Sequence, residues 1–315
     1  MAYDVLTSGY VSMDHIVKIK SPARVGMTSL VDNATCATVF YGGCNVNIAY
    51  ALCRLGANAM PILRVGPDWE TNGFKAFLED AGVSTEATEV IEGEATSVCY
   101  LIEDNEGQHI TLFYPGSMDA RYHRPLDDRF FEGARFGVVT VASRPDNEEF
   151  FRKCRLHNVP VVFGMKADSD AFPRPFLEQL LLKSQIIFTN ESERALIEKD
   201  FGLGAITDLM ERGEARTIVT TYGERGSQYW HLREDGSVET ACVPVCACTE
   251  VVDTAGGGDA YMSGFLYGLL HDQPLEDCCR MGSTLSSFIL EHEGCCTGAP
   301  DLKTFMSRYE AFKAC

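Results

Sequence analysis

An α/β domain on a mainly parallel sheet is the fold class predicted for this chain of 315 residues. Short apolar runs of strand length recur along the sequence, and most are separated by stretches with helical spacing of apolar residues. That alternation yields a parallel sheet covered by helices on both faces. A further observation adds to this: two stretches before residue 120 read as strands with no helix between them. They predict a second, smaller sheet.

Taken in order, Tyr3–Ser8 reads as a buried strand, Asn45–Leu55 as a helix with an apolar stripe, Ala59–Val65 as a strand and 68–80 as a helix. Further strands are expected at Arg135–Ala142, Val159–Phe163, Gln185–Thr189 and Thr217–Thr221, each followed or preceded by a helical pattern. His15–Lys20 with Thr28–Phe40, and Ala95–Asp104 with Gln108–Tyr114, are the strands without intervening helices. The second pair is joined by Asp104-Asn105-Glu106-Gly107, a good hairpin turn. These strands, within about 12–40 and 95–118 of one domain spanning 1–315, are expected to project as a lid that excludes water from a reaction site. An edge extension of the main sheet is the alternative. The chain ends in helical patterns over Asp259–His271, Leu275–Leu290 and Leu302–Phe312, without repeats or low-complexity segments.

Composition bounds the function. With 45% hydrophobic and 23% charged residues the chain is an ordinary globular sequence. No apolar run is long enough to span a bilayer, and the start carries Asp4 and no basic segment of a secretory signal. A cytoplasmic location is therefore expected. A net charge of −18 argues against nucleic acid and anionic membranes as partners. It leaves room for a phosphorylated ligand, because a local ring of backbone N–H groups binds anions whatever the global charge. Thirteen cysteines in such a chain are expected as free thiols. Cys242, Cys246 and Cys248 suggest a metal site by proximity, but a second ligand pair is missing and the segment alternates like a strand.

The most informative run is Asp253-Thr254-Ala255-Gly256-Gly257-Gly258-Asp259, followed by a helix. Gly256, Gly257 and Gly258 let the backbone turn tightly and approach a ligand, and the helix start aims free N–H groups into the same space. The carboxylate of Asp259 then lies beside an anion hole. This suits a base that accepts a hydroxyl proton while the hole steadies a transferring phosphoryl group. The plainer reading is a Gly-rich turn with an aspartate nearby.

This run resembles the DTxGAGD signature of the ribokinase-like (PfkB) carbohydrate kinase family, with Gly257 where alanine is usual. Three other segments are similar to family motifs in the family's order. Gly42-Gly43-Cys44-Asn45-Val46-Asn47 resembles the GGxxxN substrate motif, in which paired glycines admit a ligand and Asn47 offers donor and acceptor to hydroxyls. Asn190-Glu191-Ser192-Glu193 resembles NxxE, with Asn190 and Glu193 on one face of a starting helix. Thr221-Tyr222-Gly223 resembles the TxG turn of a nucleotide site. Each motif alone reads equally as a helix cap or a turn.

The resemblance implies a three-layer α/β/α fold with a small β-sheet lid, ATP and Mg²⁺ as cofactors, and transfer to a hydroxymethyl group. It implies substrate contacts at Asp14, Gly42, Gly43 and Asn47, and nucleotide contacts at Asn190, Thr221, Gly223 and Gly226. It further implies Mg²⁺ held through water by Glu193 and Asn190, a monovalent cation such as K⁺ beside Asp253, and a homodimer through the lid. Two departures are visible: Gly164 stands where many relatives carry aspartate, and Cys44 where ribokinase has lysine. The second weakens a free-ribose reading. The wording around Cys44–Tyr50 and Tyr114–Met118 is similar to the bacterial adenosine-kinase-like branch, so a ribonucleoside such as adenosine is the expected acceptor, with a sugar or sugar acid as the alternative. Tyr41, Phe113 and Tyr114 offer an aromatic wall for a base or, equally, lid packing.

Two other classes compete. No lysine follows a glycine, so the GK[ST] element of a P-loop is absent. In a dinucleotide fingerprint the third glycine would fall on Tyr261. A binding protein without activity on the same fold is the remaining alternative, against which Asp259, Asn190 and Glu193 speak.

Overall fold

The computed structural model describes residues 2–314. The first part of the chain forms β1 (Val5–Ser8), β2 (Ser12–Lys18), β3 (Phe40–Gly42), α1 (Cys44–Arg54), β4 (Ala59–Val65), α2 (Phe74–Asp80) and β5 (Thr88–Val90). Next come β6 (Val98–Glu103), β7 (His109–Tyr114), β8 (Phe136–Val139), α3 (Arg144–Leu156), β9 (Val161–Gly164), α4 (Arg174–Lys183), β10 (Ile186–Asn190) and α5 (Glu191–Asp200). The rest is α6 (Asp208–Arg212), β11 (Thr217–Thr221), β12 (Ser227–Leu232), β13 (Val238–Val243), α7 (Gly257–Leu270), α8 (Leu275–Leu290) and α9 (Leu302–Lys313).

Nine strands form the main sheet in the order β13-β12-β11-β10-β9-β8-β1-β4-β5. Neighbours pair in parallel from β11 to β5, while β12 and β13 add an antiparallel edge. Alternation along each strand divides the core into two layers. Val5, Val138, Val162, Phe188 and Val219 face α1, α7 and α8, whereas Leu6, Val139, Phe163, Ile187 and Ile218 face the side covered by α3, α4 and α5. Both faces being covered, the parallel strands carry near-continuous apolar runs.

A separate four-stranded sheet, β3-β2-β6-β7, stands apart from the main one. The sequence alternative of an edge extension is thereby overturned. Parallel pairing of β2 with β6 and antiparallel pairing of β6 with β7 set Asp14 opposite Cys99, and Cys99 opposite Phe113. These three side chains share one face of the small sheet.

Three expectations need correction. Thr28–Phe40 is not a strand: it holds a 3-10 turn over Ala34–Ala37 and a single bridge between Ile19 and Val31. Asn33 explains this, because its side-chain amide accepts from Lys18 N and donates to Ile16 O, replacing a neighbouring strand along the edge of β2. The helix expected over 68–80 is split into a 3-10 turn, Pro67–Glu70, and α2, because Gly73 sits at φ +92° between them. The strand read through Cys248 ends at Val243, followed by Pro244, which has no N–H for a ladder. Cys246 instead lies beyond the sheet, its N–H donating to Ser283 Oγ at 2.7 Å.

Candidate active site

The carboxyl ends of the parallel strands converge on one edge of the main sheet, the place where open α/β sheets bind ligands. There α7 begins at Gly257, two residues earlier than the sequence pattern indicated, with Gly256 as its N-cap at φ +76°. A Cβ at Gly256 would lie 2.8 Å from Cys295 Cβ, so both backbone and space require glycine. A Cβ at Gly257 would only touch Leu290 Cδ2 at 3.2 Å, a flexible neighbour, which fits the alanine usual in the family pattern. At Gly258 a Cβ meets nothing within 4 Å. That position faces the open cleft. Asp253 clamps the turn, its Oδ1 accepting from Ala255 N at 2.9 Å and its Oδ2 from Gly294 N at 3.1 Å.

Asp259 is therefore in the first turn of α7, where the helix dipole favours an anion. It is buried, and its Oδ2 accepts a 2.8 Å hydrogen bond from Asn47 Nδ2 of α1. Asn47 Oδ1 in turn accepts from the Cys296 thiol at 3.3 Å. Cys44, at the start of α1, lies beside the same carboxylate; burial, then the Asp259 charge, push its thiol up to about 12. It is a neutral S–H at physiological pH.

Asp14 projects from β2 and is 7% exposed. Burial raises its carboxyl to about 6, against the hydrogen bond donated by Ser12 Oγ. Gly42 makes room for it: a Cβ there would lie 2.7 Å from Asp14 Oδ2 and 3.4 Å from Asn47 Oδ1. Gly43, at φ +96°, would bring a Cβ to 2.1 Å from Tyr10 O. The two glycines thus bring Asp14, Asn47 and, through it, Asp259 into one corner.

Asn190 and Glu193 form a reciprocal capping box at the start of α5. Asn190 Oδ1 accepts from Glu193 N and Glu193 Oε2 accepts from Asn190 N, both at 2.8 Å. Glu193 is also buried, and desolvation raises its carboxyl above the usual range. A notch of 70 Å³ joins Asn190, Glu193 and Thr221 to Gly258 and Asp259. Beyond it opens a cavity of 480 Å³, lined by Thr221, Gly223, Gly226 and Gly258 together with apolar Val251 and Leu290. That volume is in the range of small-molecule pockets. Gly226, at φ +84°, would put a Cβ 2.2 Å from Val243 O, so glycine is required where the chain turns into β12.

Of the three aromatics offered as a wall, Phe113 lies on the face of the small sheet that carries Asp14. It packs against Tyr10 with ring centroids 4.8 Å apart. Tyr41 packs on Phe74 and Phe77 and donates to Asn72 O, and Tyr114 donates to Glu94. At Gly164 a Cβ would lie 2.5 Å from Met262 Cε, the movable end of a flexible side chain, so a larger residue there would require Met262 to shift. Sequence reasoning missed Lys166, two residues beyond the end of β9, whose Nζ lies 4.0 Å from Asp259 Oδ1. Its only sequence signal is a lone lysine just past a buried strand in an acidic chain. Among the described residues no group of three or more His, Cys, Asp or Glu is placed to hold a metal, so Cys242, Cys246 and Cys248 form no such cluster. No helix among them is long and apolar enough to cross a membrane.

The buried Asp259 at the start of a helix adjoins a cavity of small-molecule size, and similarity to known proteins gives the class: an ATP-dependent kinase acting on a nucleoside or sugar. The family model for pfkB carbohydrate kinases matches residues 4–302, and the chain belongs to that family. A nucleoside kinase from Methanocaldococcus jannaschii is 26% identical over 307 residues, covering 96% of this chain and 95% of the relative. The crystal structure of a M. jannaschii nucleoside kinase, described as an archaeal member of the ribokinase family, superposes with a TM-score of 0.87 at 22% identity, covering 98% of this chain and 99% of that one. A Burkholderia thailandensis nucleoside kinase in complex with inosine gives a TM-score of 0.82 at 23% identity, covering 98% and 96%. The ribokinase-like fold is thus established.

Proposed function

We propose that this kinase phosphorylates the 5′-hydroxymethyl group of a ribonucleoside, adenosine or a close analogue. The observation that carries this is the row Asp14–Cys99–Phe113 across the small sheet. Asp14 suits ribose hydroxyls, and Phe113, packed on Tyr10, presents an aromatic face about two strand spacings away, roughly 10 Å. The similarity to nucleoside kinases supports the same reading. A neutral Cys44 at the place of a lysine removes the charge a free-sugar site would use.

In this reading Asp259 accepts the hydroxyl proton, Asn47 holds its carboxylate in position, and the N–H groups at the start of α7 receive the charge of the transferring group. ATP occupies the 480 Å³ cavity with its phosphates directed past Gly258. Glu193 and Asn190 would hold Mg²⁺ through water, as an ion that keeps most of its hydration and rests on substrate phosphates requires. When bound it neutralises phosphate charge. A K⁺ ion beside Asp253 belongs to the reading and predicts lower activity when Na⁺ replaces it. The small sheet acts as a lid, and the exposed Ile110 and Leu112 on β7 make pairing of two lids the proposed dimer contact, checked by light scattering.

The test is an ATP-consumption screen with adenosine, inosine, cytidine, ribose, fructose and ketogluconate. Buried apolar area is worth about 25 cal/mol per Å², so a stacked base should raise kcat/KM over ribose by orders of magnitude. Phe113→Ala should erase most of that advantage. Equal or better use of a free sugar overturns the nucleoside reading.

A further inference from the structure

Lys166 is absent from every motif read in the sequence, yet it stands at the centre of the site. It leaves the carboxyl end of β9 with Met165, whose N–H donates to Phe188 O at 3.0 Å and so fixes the chain beside β10. Among the described residues it is the only lysine or arginine lining the notch shared by Asn190, Glu193, Thr221, Gly258 and Asp259. Its Nζ lies 4.0 Å from Asp259 Oδ1, beyond hydrogen-bond reach. Its side chain is still 43% exposed, whereas that of Asp259 is 5% exposed. A cation thus hangs over the mouth of the notch, close to the buried Asp259 carboxylate and free enough to bind something else.

We propose that Lys166 is a catalytic residue of this kinase, donating to the γ-phosphate of bound ATP and following its charge during transfer. The inference rests on the kinase reading of the site. A chain of net charge −18 that brings Asp14, Glu193 and Asp259 to one cleft must offset the negative charge of a triphosphate locally. Backbone N–H groups at α7 supply partial charges, and Lys166 supplies the full one. The Asp259 carboxylate first, with a smaller contribution from Glu193, holds its ammonium charged well above the usual lysine range. It acts as a fixed positive charge and not as a proton carrier. In the step itself the acceptor oxygen forms a bond to the γ-phosphorus while the bond to the β,γ-bridging oxygen breaks. The electron pair leaves on ADP, and the hydroxyl proton passes to Asp259. Lys166 neither gains nor loses a proton.

The test compares Lys166→Met and Lys166→Arg with the wild type. Calorimetry measures Mg·ATP and Mg·ADP binding without any acceptor, and steady-state kinetics follow with the acceptor the wild type uses. Lys166→Met is expected to lose about tenfold in ATP affinity with ADP affinity unchanged, and on the order of 10² in kcat, in the range found for removing one donor to a developing charge. Lys166→Arg should retain the preference for ATP and part of kcat. If both nucleotides weaken by the same factor, or if kcat stays within threefold, Lys166 only balances Asp259 and the proposal is overturned. Thermal melts confirm that each variant is folded. Should the wild type phosphorylate no acceptor, the kinase reading fails separately, while the comparison of ATP with ADP still decides the role of Lys166.

Discussion

Asp14→Asn is expected to make the ligand-free protein more stable at pH 8 while crippling its use of substrate. Burial lifts the Asp14 carboxyl from 3.8 to about 6. The folded state therefore holds this proton more tightly than the unfolded state, and stability drains away as pH rises between those values. At about 1.4 kcal/mol for each pH unit, the full loss is about 3 kcal/mol and is reached above pH 7. Asparagine keeps an oxygen for the Ser12 hydroxyl and removes the buried charge. Across 315 residues, at about 2.1 cal/mol/K of unfolding entropy each, the gain corresponds to roughly 5 °C in Tm. The assay is a pair of melting series from pH 4 to 8. The difference between variant and wild type should be near zero at pH 4, grow through pH 6 and level off above pH 7. A difference that is flat with pH, or that favours the wild type at pH 8, refutes the picture of a strained carboxylate kept for ligand contact.

Asp259→Asn should fold, bind ATP and lose on the order of 10²–10⁴ in turnover, because its amide cannot accept the hydroxyl proton; turnover within a few-fold of wild type removes it as the base. Glu193→Gln keeps an acceptor for Asn190 N and so preserves the cap, but should raise the Mg²⁺ concentration needed for half-maximal activity. An unchanged Mg²⁺ titration would leave Glu193 as a helix cap alone. Gly258→Ala puts a methyl into open cleft, so Tm should hold or rise slightly while KM for ATP increases; an unchanged KM would show that ligand does not pass this residue.

Elements whose own side chains carry their period were legible in the sequence. β4 at Ala59–Val65, β11 at Thr217–Thr221 and α8 at Leu275–Leu290 coincide with their apolar patterns end to end. Where a polar side chain does the work of a backbone, pattern misleads. Thr28–Phe40 alternates well enough for a strand, yet the Asn33 amide takes the pairing that a strand would have made. In the site, the glycine runs were readable because their backbone demands exclude other residues: Gly43 and Gly256 both have positive φ and no room for a Cβ. Asn47 was readable as an amide near a ligand, but its hold on Asp259 was not, since 212 residues separate them. Lys166 was invisible for a related reason. One lysine after a strand has no spacing to betray it, and only the fold brings it over Asp259.

The bonds around Asn47 reach across nearly the whole chain. It binds Asp259 212 positions away, and it accepts from Cys296, 249 positions away. The glycine turn is likewise fastened at Gly294 and packed against Cys295, both beyond α8. Contacts of such long sequence separation close late in folding, after the loop entropy between them has been met. During synthesis the corner at Asn47 waits unfinished until the segment carrying Cys296 has emerged. Fragments that already hold the parallel sheet would have every strand and no working site. In a refolding experiment, catalytic activity should return after the recovery of helical and sheet signal, so that the enzyme's own turnover reports the moment at which Asn47 meets Asp259 and Cys296.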